Sequence, residues 1–355
     1  MKNSLLAISL VSVSLPTWSA IDLTDNLSVS GFGSTSWASS QNETALLVNR
    51  NINDDNCFDC DTTFGLQFDY YYNAFNASLQ LVKRPQDHWS EPQVEWAYLS
   101  AAYDDFEFRV GRLRLPVFLA SEYYYVGHAY TSARPNEEVY NSILGVTAYN
   151  GASIIWNHSL SDEMQLSLTP YVGFKDNNDV ELNKVVSLEF ETEFMWGVNA
   201  LLTGDNYRIN FTYLDSTYDQ KVKVNNQQIA SSDDEEISLY SLGAEYEIGQ
   251  LKLTAEGQYN DLTKSWYTGA AYRMGKFTPY TQFGQKYARS TSTSIYDGKT
   301  GESWLLGVRY DVMYSVSINA EWQTFSAFGG QSGPFVETPV DSDADMFTVM
   351  VNFVF

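Results

Sequence analysis

An alternation of apolar and polar residues with a period of two constrains this chain more than any other feature. It recurs in segments of about 9–12 residues almost from end to end. Phe347, Val349, Val351, Phe353 and Phe355 share one face, with Thr348, Met350 and Asn352 between them. Val316, Ile318, Ala320 and Trp322 alternate in the same way with Ser315, Ser317, Asn319 and Glu321. Successive side chains of a strand point to opposite faces, so each segment carries one apolar side and one wet side. Apolar positions do not recur at i, i+3, i+4, which argues against helix. After residue 20 there is no apolar run of about 18 residues, which excludes a helical membrane protein.

Read this way, the chain is expected to hold about 16 strands: 27–37, 63–72, 74–83, 93–103, 106–112, 151–160, 163–174, 193–203, 207–217, 237–248, 250–260, 265–274, 276–287, 302–312, 314–325 and 345–355. Short and long connections alternate. Tight turns are expected at Asn73, Asp104–Asp105, Ser161–Asp162, Gly204–Asp205–Asn206, Gly249, Gly275 and Asp311–Val312, where Gly and Asn reach left-handed backbone and Asp or Ser caps the turn. Long polar connections are expected at 38–62, 113–150, 175–192, 218–236, 288–301 and 326–344. Short turns on one rim and long loops on the other characterise transmembrane barrels. The expected fold is therefore all-β, an antiparallel up-and-down transmembrane barrel over residues 21–355.

Composition agrees with this. Only 18% of residues are charged while 15% are aromatic, and Tyr alone numbers 25. Tyr and Trp suit a surface that is apolar at one end of the ring and wet at the other. Acidic residues gather in the expected loops: Asp54, Asp55, Asp59 and Asp61; Asp233, Asp234, Glu235 and Glu236; Glu337, Asp341 and Asp343. The net charge of −23 argues against a nucleic-acid partner, because phosphate binding needs clustered Lys and Arg. Residues 1–20 have the pattern of a secretory signal peptide: Lys2, a short apolar run from Leu5 to Leu15, and a cleavage region with the cut after Ser19 or Ala20.

The final strand, Phe347–Thr348–Val349–Met350–Val351–Asn352–Phe353–Val354–Phe355, resembles that of the Gram-negative outer-membrane porin superfamily. With the signal peptide and the strand count, the likeness covers nearly the whole mature chain. The resemblance implies a 16-stranded barrel in the Gram-negative outer membrane, often a homotrimer, among lipid and lipopolysaccharide. It implies passive diffusion of small hydrophilic solutes or ions with no cofactor. Phe355 takes the position that the barrel-assembly machinery reads in that family. The third external loop of trimeric porins folds into the lumen, and here the third external connection, 113–150, is the longest. Gly111–Arg112–Leu113–Arg114–Leu115–Pro116 is loosely similar to the anion- and phosphate-selective relatives. The acidic Pro-Glu-Phe-Gly-Gly loop tip of general porins is absent, which leaves the ion preference open.

Strand alternation turns Glu107, Arg109, Arg208, Lys252, Arg273 and Arg309 toward the lumen. Charges along a constriction set ion selectivity through their local field. A basic strip of Arg109, Arg112, Arg114 and Arg134 facing Glu122, Glu137 and Glu138 would form such a constriction. Alternatively, these charges pair with one another and hold the loop to the wall. Cys57 and Cys60 are the only cysteines, and a small loop disulfide is expected in an oxidising compartment. His88, His128 and His158 lack metal-ligand spacing, and no motif sets a Ser beside one of them with an orienting group. A metal site or an enzyme is therefore not expected. The function expected is a porin. Its rivals are a closed-lumen barrel with an adhesive or structural role and an outer-membrane hydrolase.

Overall fold

The computed structural model describes residues 20–85, 92–143, 146–182, 185–290 and 295–355. The expected signal peptide and His88 lie outside these residues. The strands are β1 (Ile21–Thr24), β2 (Leu27–Ser40), β3 (Thr63–Tyr72), β4 (Phe75–Lys83), β5 (Gln93–Tyr103) and β6 (Phe106–Arg114). They continue with β7 (Ala148–Ser161), β8 (Met164–Phe174), β9 (Asp176–Glu181), β10 (Val186–Gly204), β11 (Tyr207–Val224) and β12 (Gln227–Ile248). The last six are β13 (Leu251–Asn260), β14 (Thr263–Tyr272), β15 (Phe277–Ala288), β16 (Gly298–Met313), β17 (Val316–Ala327) and β18 (Asp343–Val354).

Every described pairing is antiparallel, and β18 pairs with β2, from Phe32 opposite Val354 to Ser40 opposite Met346. That pairing closes the sheet and leaves no edge within the wall. β8 and β9 both pair with β10 and lie in one line. The short β1 pairs with the lower end of β2 at Val29, on the side that β18 vacates beyond Gly31. The wall thus has sixteen staves.

Chemistry follows the pleat. Phe106, Phe108 and Val110 are exposed on the outer face, while Glu107 and Arg109 between them are half-buried within. Phe347, Val349 and Val351 are exposed; Thr348, Met350 and Asn352 are buried. The outer band is apolar, as hydrocarbon contact requires, since a Lys or Arg at the bilayer midplane costs about 2–4 kcal/mol. Tyr70, Tyr72, Tyr103 and Tyr259 are exposed near strand ends. At the seam, the rings of Phe353 and Phe355 cover Gly33 and Gly31, where an added Cβ would fall 2.4 and 2.3 Å from ring carbons.

Three expectations need correction. The segments 175–192 and 218–236 are not irregular loops. They extend β9–β12 into a sheet that rises from the rim, with β12 reaching 22 residues. Their polar and charged residues mimic loop composition, but a ladder in water needs no apolar face for lipid. The β11–β12 hairpin turns at Asn225 and Asn226, both with positive φ (50° and 63°), which Asn tolerates and a tight hairpin requires. The last short turn lies at Tyr314–Ser315 rather than Asp311–Val312, because β16 runs on to Met313. β1 was not foreseen, since four residues are too few to show a period.

Candidate functional site: the lumen and its inward loop

The connection after β6 enters the barrel. It carries 3-10 turns at Ser121–Tyr123 and Gly127–Ala129 and one helical turn, α1 (Glu137–Tyr140), capped by the Asn136 side chain. The wall holds it through side chains that bond its backbone. The Pro116 carbonyl accepts from Asn199 (3.1 Å) and Thr212 (2.8 Å), and Ser241 donates to the Val117 carbonyl (2.5 Å). The Leu119 N–H donates to the Glu256 carboxylate at 2.7 Å. The Ala133 N–H donates to Glu321 at 2.7 Å, and Tyr280 donates to the same oxygen at 2.7 Å. Asn319 donates to the Thr131 carbonyl at 2.7 Å, and Arg309 donates to the carbonyls of His128 (2.8 Å) and Tyr130. An irregular segment without sheet partners needs such donors and acceptors, because a buried backbone group left unpaired costs about 1–3 kcal/mol.

Apolar packing adds to this. Leu115, Val117, Phe118, Val139 and Tyr140 of the loop form a core with Met195, Leu214, Leu239, Tyr149 and Tyr171 of the wall. Gly127 lies flat on the seam, where a Cβ would fall 2.2 Å from Asn352 Oδ1 and 2.5 Å from Ser34 Oγ. The loop therefore follows the wall from β10 round to β2.

Arg109, Arg112, Arg114 and Arg134 do not line up as one strip facing Glu122, Glu137 and Glu138; most of these charges are paired, as the alternative expectation had it, and they separate into three groups. In the first, Arg134 bonds Asp61 through two nitrogens, one at 2.7 Å to Oδ1, and Arg50 shares that oxygen at 2.9 Å and bonds Glu137 at 3.3 Å. All four side chains are buried or nearly so. Burial alone would raise the Asp61 carboxyl, but the Arg134 and Arg50 guanidinium groups hold it far below the ordinary carboxylate range. Burial raises Glu137 and Glu138. In the second group, Arg112 pairs with Asp176 (2.7 Å) and Arg114 with Glu95 (2.8 Å). Arg112, Arg114, Arg134, Glu137 and Glu138 are thus fixed in packed contacts instead of lining an opening.

The third group surrounds open space at the Ser121–Tyr123 turn. Glu122 is exposed there and interacts electrostatically with Arg109, which chelates Glu107 through two bonds (2.9 and 3.1 Å). The next side chain, Tyr123, meets Arg208 on β11 (3.1 Å). Glu245 bridges Arg208 (3.6 Å) and Lys252 (2.6 Å). Below the loop lies a cavity of about 540 Å³, lined by Lys252, Arg273, Arg309, Asp311, Glu247 and His128 among others. Arg208 and Arg309 bond the inward loop, Lys252 and Arg273 line the cavity below it, and Glu107 and Arg109 stand together on the inner face of β6. His128 is buried between Ser317 and the Tyr314 carbonyl, each at 3.2 Å, while His158 is exposed and stacks on Trp156. Cys57 and Cys60 form a disulfide in the first external loop.

Sequence reasoning missed Asp61 and Arg50 as loop anchors, and Glu256, Glu321 and Glu245 as wall partners. The wall carboxylates did carry a signal: they stand on the polar face of a strand, where a charge needs a partner inside. Nothing local marks Asp61, whose partners are 11 and 73 residues away.

A sixteen-stave barrel narrowed by an inward third loop has matches among solved structures. OmpF of Salmonella typhi, solved in complex with daunomycin, is 13% identical, with a TM-score of 0.66 over 95% of this chain and 100% of that one. The fold is that of the outer-membrane porins. The anion-selective porin from Comamonas acidovorans is 12% identical, with a TM-score of 0.61 over 93% of this chain and 99% of that one. OmpT, an outer-membrane protein of Vibrio cholerae solved in a trimer form, is 13% identical, with a TM-score of 0.58 over 93% and 100%. No protein-family model and no curated protein matches the chain by sequence. At these identities what is shared is the porin fold, and the lumen charges must be read from this chain alone.

Proposed function

We propose that the protein is a Gram-negative outer-membrane porin, a water-filled channel through which small hydrophilic solutes or ions diffuse without a cofactor. The observation that carries this reading is the inward loop: it is anchored along the wall and presents Glu122 and Tyr123 to charged walls on β6 and β11. A constriction built this way acts on solutes by size and by field, since low-dielectric walls focus the potential. We assign the selectivity role to Glu122, Glu107, Arg109, Arg208 and Lys252, and the inner mouth to Arg273 and Arg309. The buried charges at Arg114, Arg134, Glu137 and Glu138 hold the loop, and Arg112 ties β6 to Asp176 on β9. Homotrimer formation and insertion by the assembly machinery through the Phe355 strand belong to the same reading.

The test is reconstitution of the purified protein into planar bilayers. Discrete conductance steps are expected, with a reversal potential in a salt gradient that reports ion preference. A second reading, a barrel closed by its loop and serving adhesion or structure, is favoured by the apolar core that the loop forms inside the lumen. Absence of conductance steps would decide for it.

A further inference from the structure

The barrel wall has no open edge, but the sheet that rises from its external rim does. β12 pairs with β11 from Gln227 onward, whereas its pairing with β13 begins only at Leu239, opposite Asn260. Ser238 donates its N–H to the Asp261 carboxylate. From Gln227 to Ile237, the side of β12 turned away from β11 has no strand beside it among the described residues. The register with β11 shifts at Ile229 and again at Asp233–Asp234, where Asp234 has a φ of 57° and donates its N–H to Asp219, so the edge is bulged at two places. Its side chains are exposed almost throughout, Ile229 at 65%.

A free edge is a template for a further strand, and proteins usually blunt it by keeping it short, bending it or charging it. This edge keeps free stretches on either side of its bulges, and it is charged with one sign: Asp233, Asp234, Glu235 and Glu236 follow one another and are all exposed. The nearby lysines of β11, Lys221 and Lys223, are already engaged by Glu189. The charge decides between occupants. A second copy of this chain, added edge to edge, would bring one acidic run against another, and like charges directly opposite destabilise a sheet. A strand rich in Lys or Arg would instead meet opposite charge across the same pairs.

We infer that residues Gln227–Ile237 form an external docking edge that captures a basic, extended polypeptide segment by strand addition. Main-chain groups between the bulges supply the pairing, and the acidic run supplies the choice of partner. This inference does not depend on whether the lumen conducts.

The experiment uses the full-length barrel in detergent micelles and a fluorescent ten-residue peptide of alternating Lys and Thr. The control peptide has the same sequence with alternating L- and D-residues, so it carries the same charge but cannot follow the pleat. At 150 mM salt the all-L peptide is expected to bind at least tenfold more tightly and to slow amide hydrogen exchange within 227–237. The variant D233N/D234N/E235Q/E236Q is expected to lose at least tenfold in affinity for it. Exchange across the β11–β12 ladder checks that the variant's hairpin is intact. Equal binding of the two peptides would reduce the interaction to charge alone and overturn strand addition. Absence of binding, protection elsewhere, or barrel self-association through this edge would overturn it as well.

Discussion

The Asp61→Asn substitution tests how the inward loop is held. Asp61 accepts two bonds from Arg134, one from Arg50 at 2.9 Å and one from Ser36 at 2.6 Å, and its side chain is only 2% exposed. Asn keeps the shape but removes the anion, leaving two buried guanidinium groups with Glu137 at 3.3 Å and Glu321 at 3.9 Å. Removing one partner of a buried pair costs about 3–5 kcal/mol. Each 1.4 kcal/mol is tenfold in an equilibrium, so states in which the loop leaves this anchor should gain between about 10²-fold and a few thousandfold in population. The barrel itself should persist, because its ladders and the contacts of Glu256, Glu321 and Arg309 with the loop do not involve Asp61. Single-channel recording should show larger open-state current noise and altered conductance, and the thermal transition in detergent should fall. In D61N/R134Q neither charge of that pair remains, so the double variant should recover part of the loss. Wild-type noise and thermal transition in D61N, or a double variant worse than the two single changes combined, would refute the idea that this pair latches the loop.

Other predictions follow from the same geometry. Glu122→Gln should move the reversal potential in a salt gradient toward anion preference and Arg109→Gln toward cation preference, with unit conductance changed less than severalfold. Gly127→Val should push the loop off the seam, where even a Cβ meets Asn352 Oδ1 at 2.2 Å, and should alter conductance while the barrel's circular dichroism is unchanged. Val349→Arg places a cation on the lipid face and should lower the yield of heat-modifiable, folded protein, at a cost of about 2–4 kcal/mol if the residue sits near the midplane. On acidification, Glu137 and Glu138 protonate above the ordinary carboxylate range, which relieves buried charge and does not loosen the loop. Asp61, held below that range, stabilises the loop fully above about pH 4 and loses this contribution as pH falls toward its folded value. Conductance noise should therefore stay steady from neutral pH to about pH 4 and rise below it.

The barrel was legible because its wall is governed by a local rule. Each residue between Phe347 and Phe355 faces lipid or lumen by parity alone, and every backbone amide must find a neighbour strand. Closure and strand number follow from that rule wherever lipid enforces the alternation. Where the strands leave the membrane, at β9–β12, nothing enforces it. The ladder there is written in polar residues such as Gln227–Ser232, which read as a loop. The lumen was partly legible: parity turned Glu107, Arg109, Arg208 and Lys252 inward. Which of the charges stand open and which are locked was decided only by the folded loop. Arg134 meets Asp61 across 73 residues and Ala133 meets Glu321 across 188, and such partners are set by where a long loop comes to rest on a closed wall. Period-two patterning specifies a face for each residue, whereas a constriction depends on distances between faces, which exist only once the cylinder has closed.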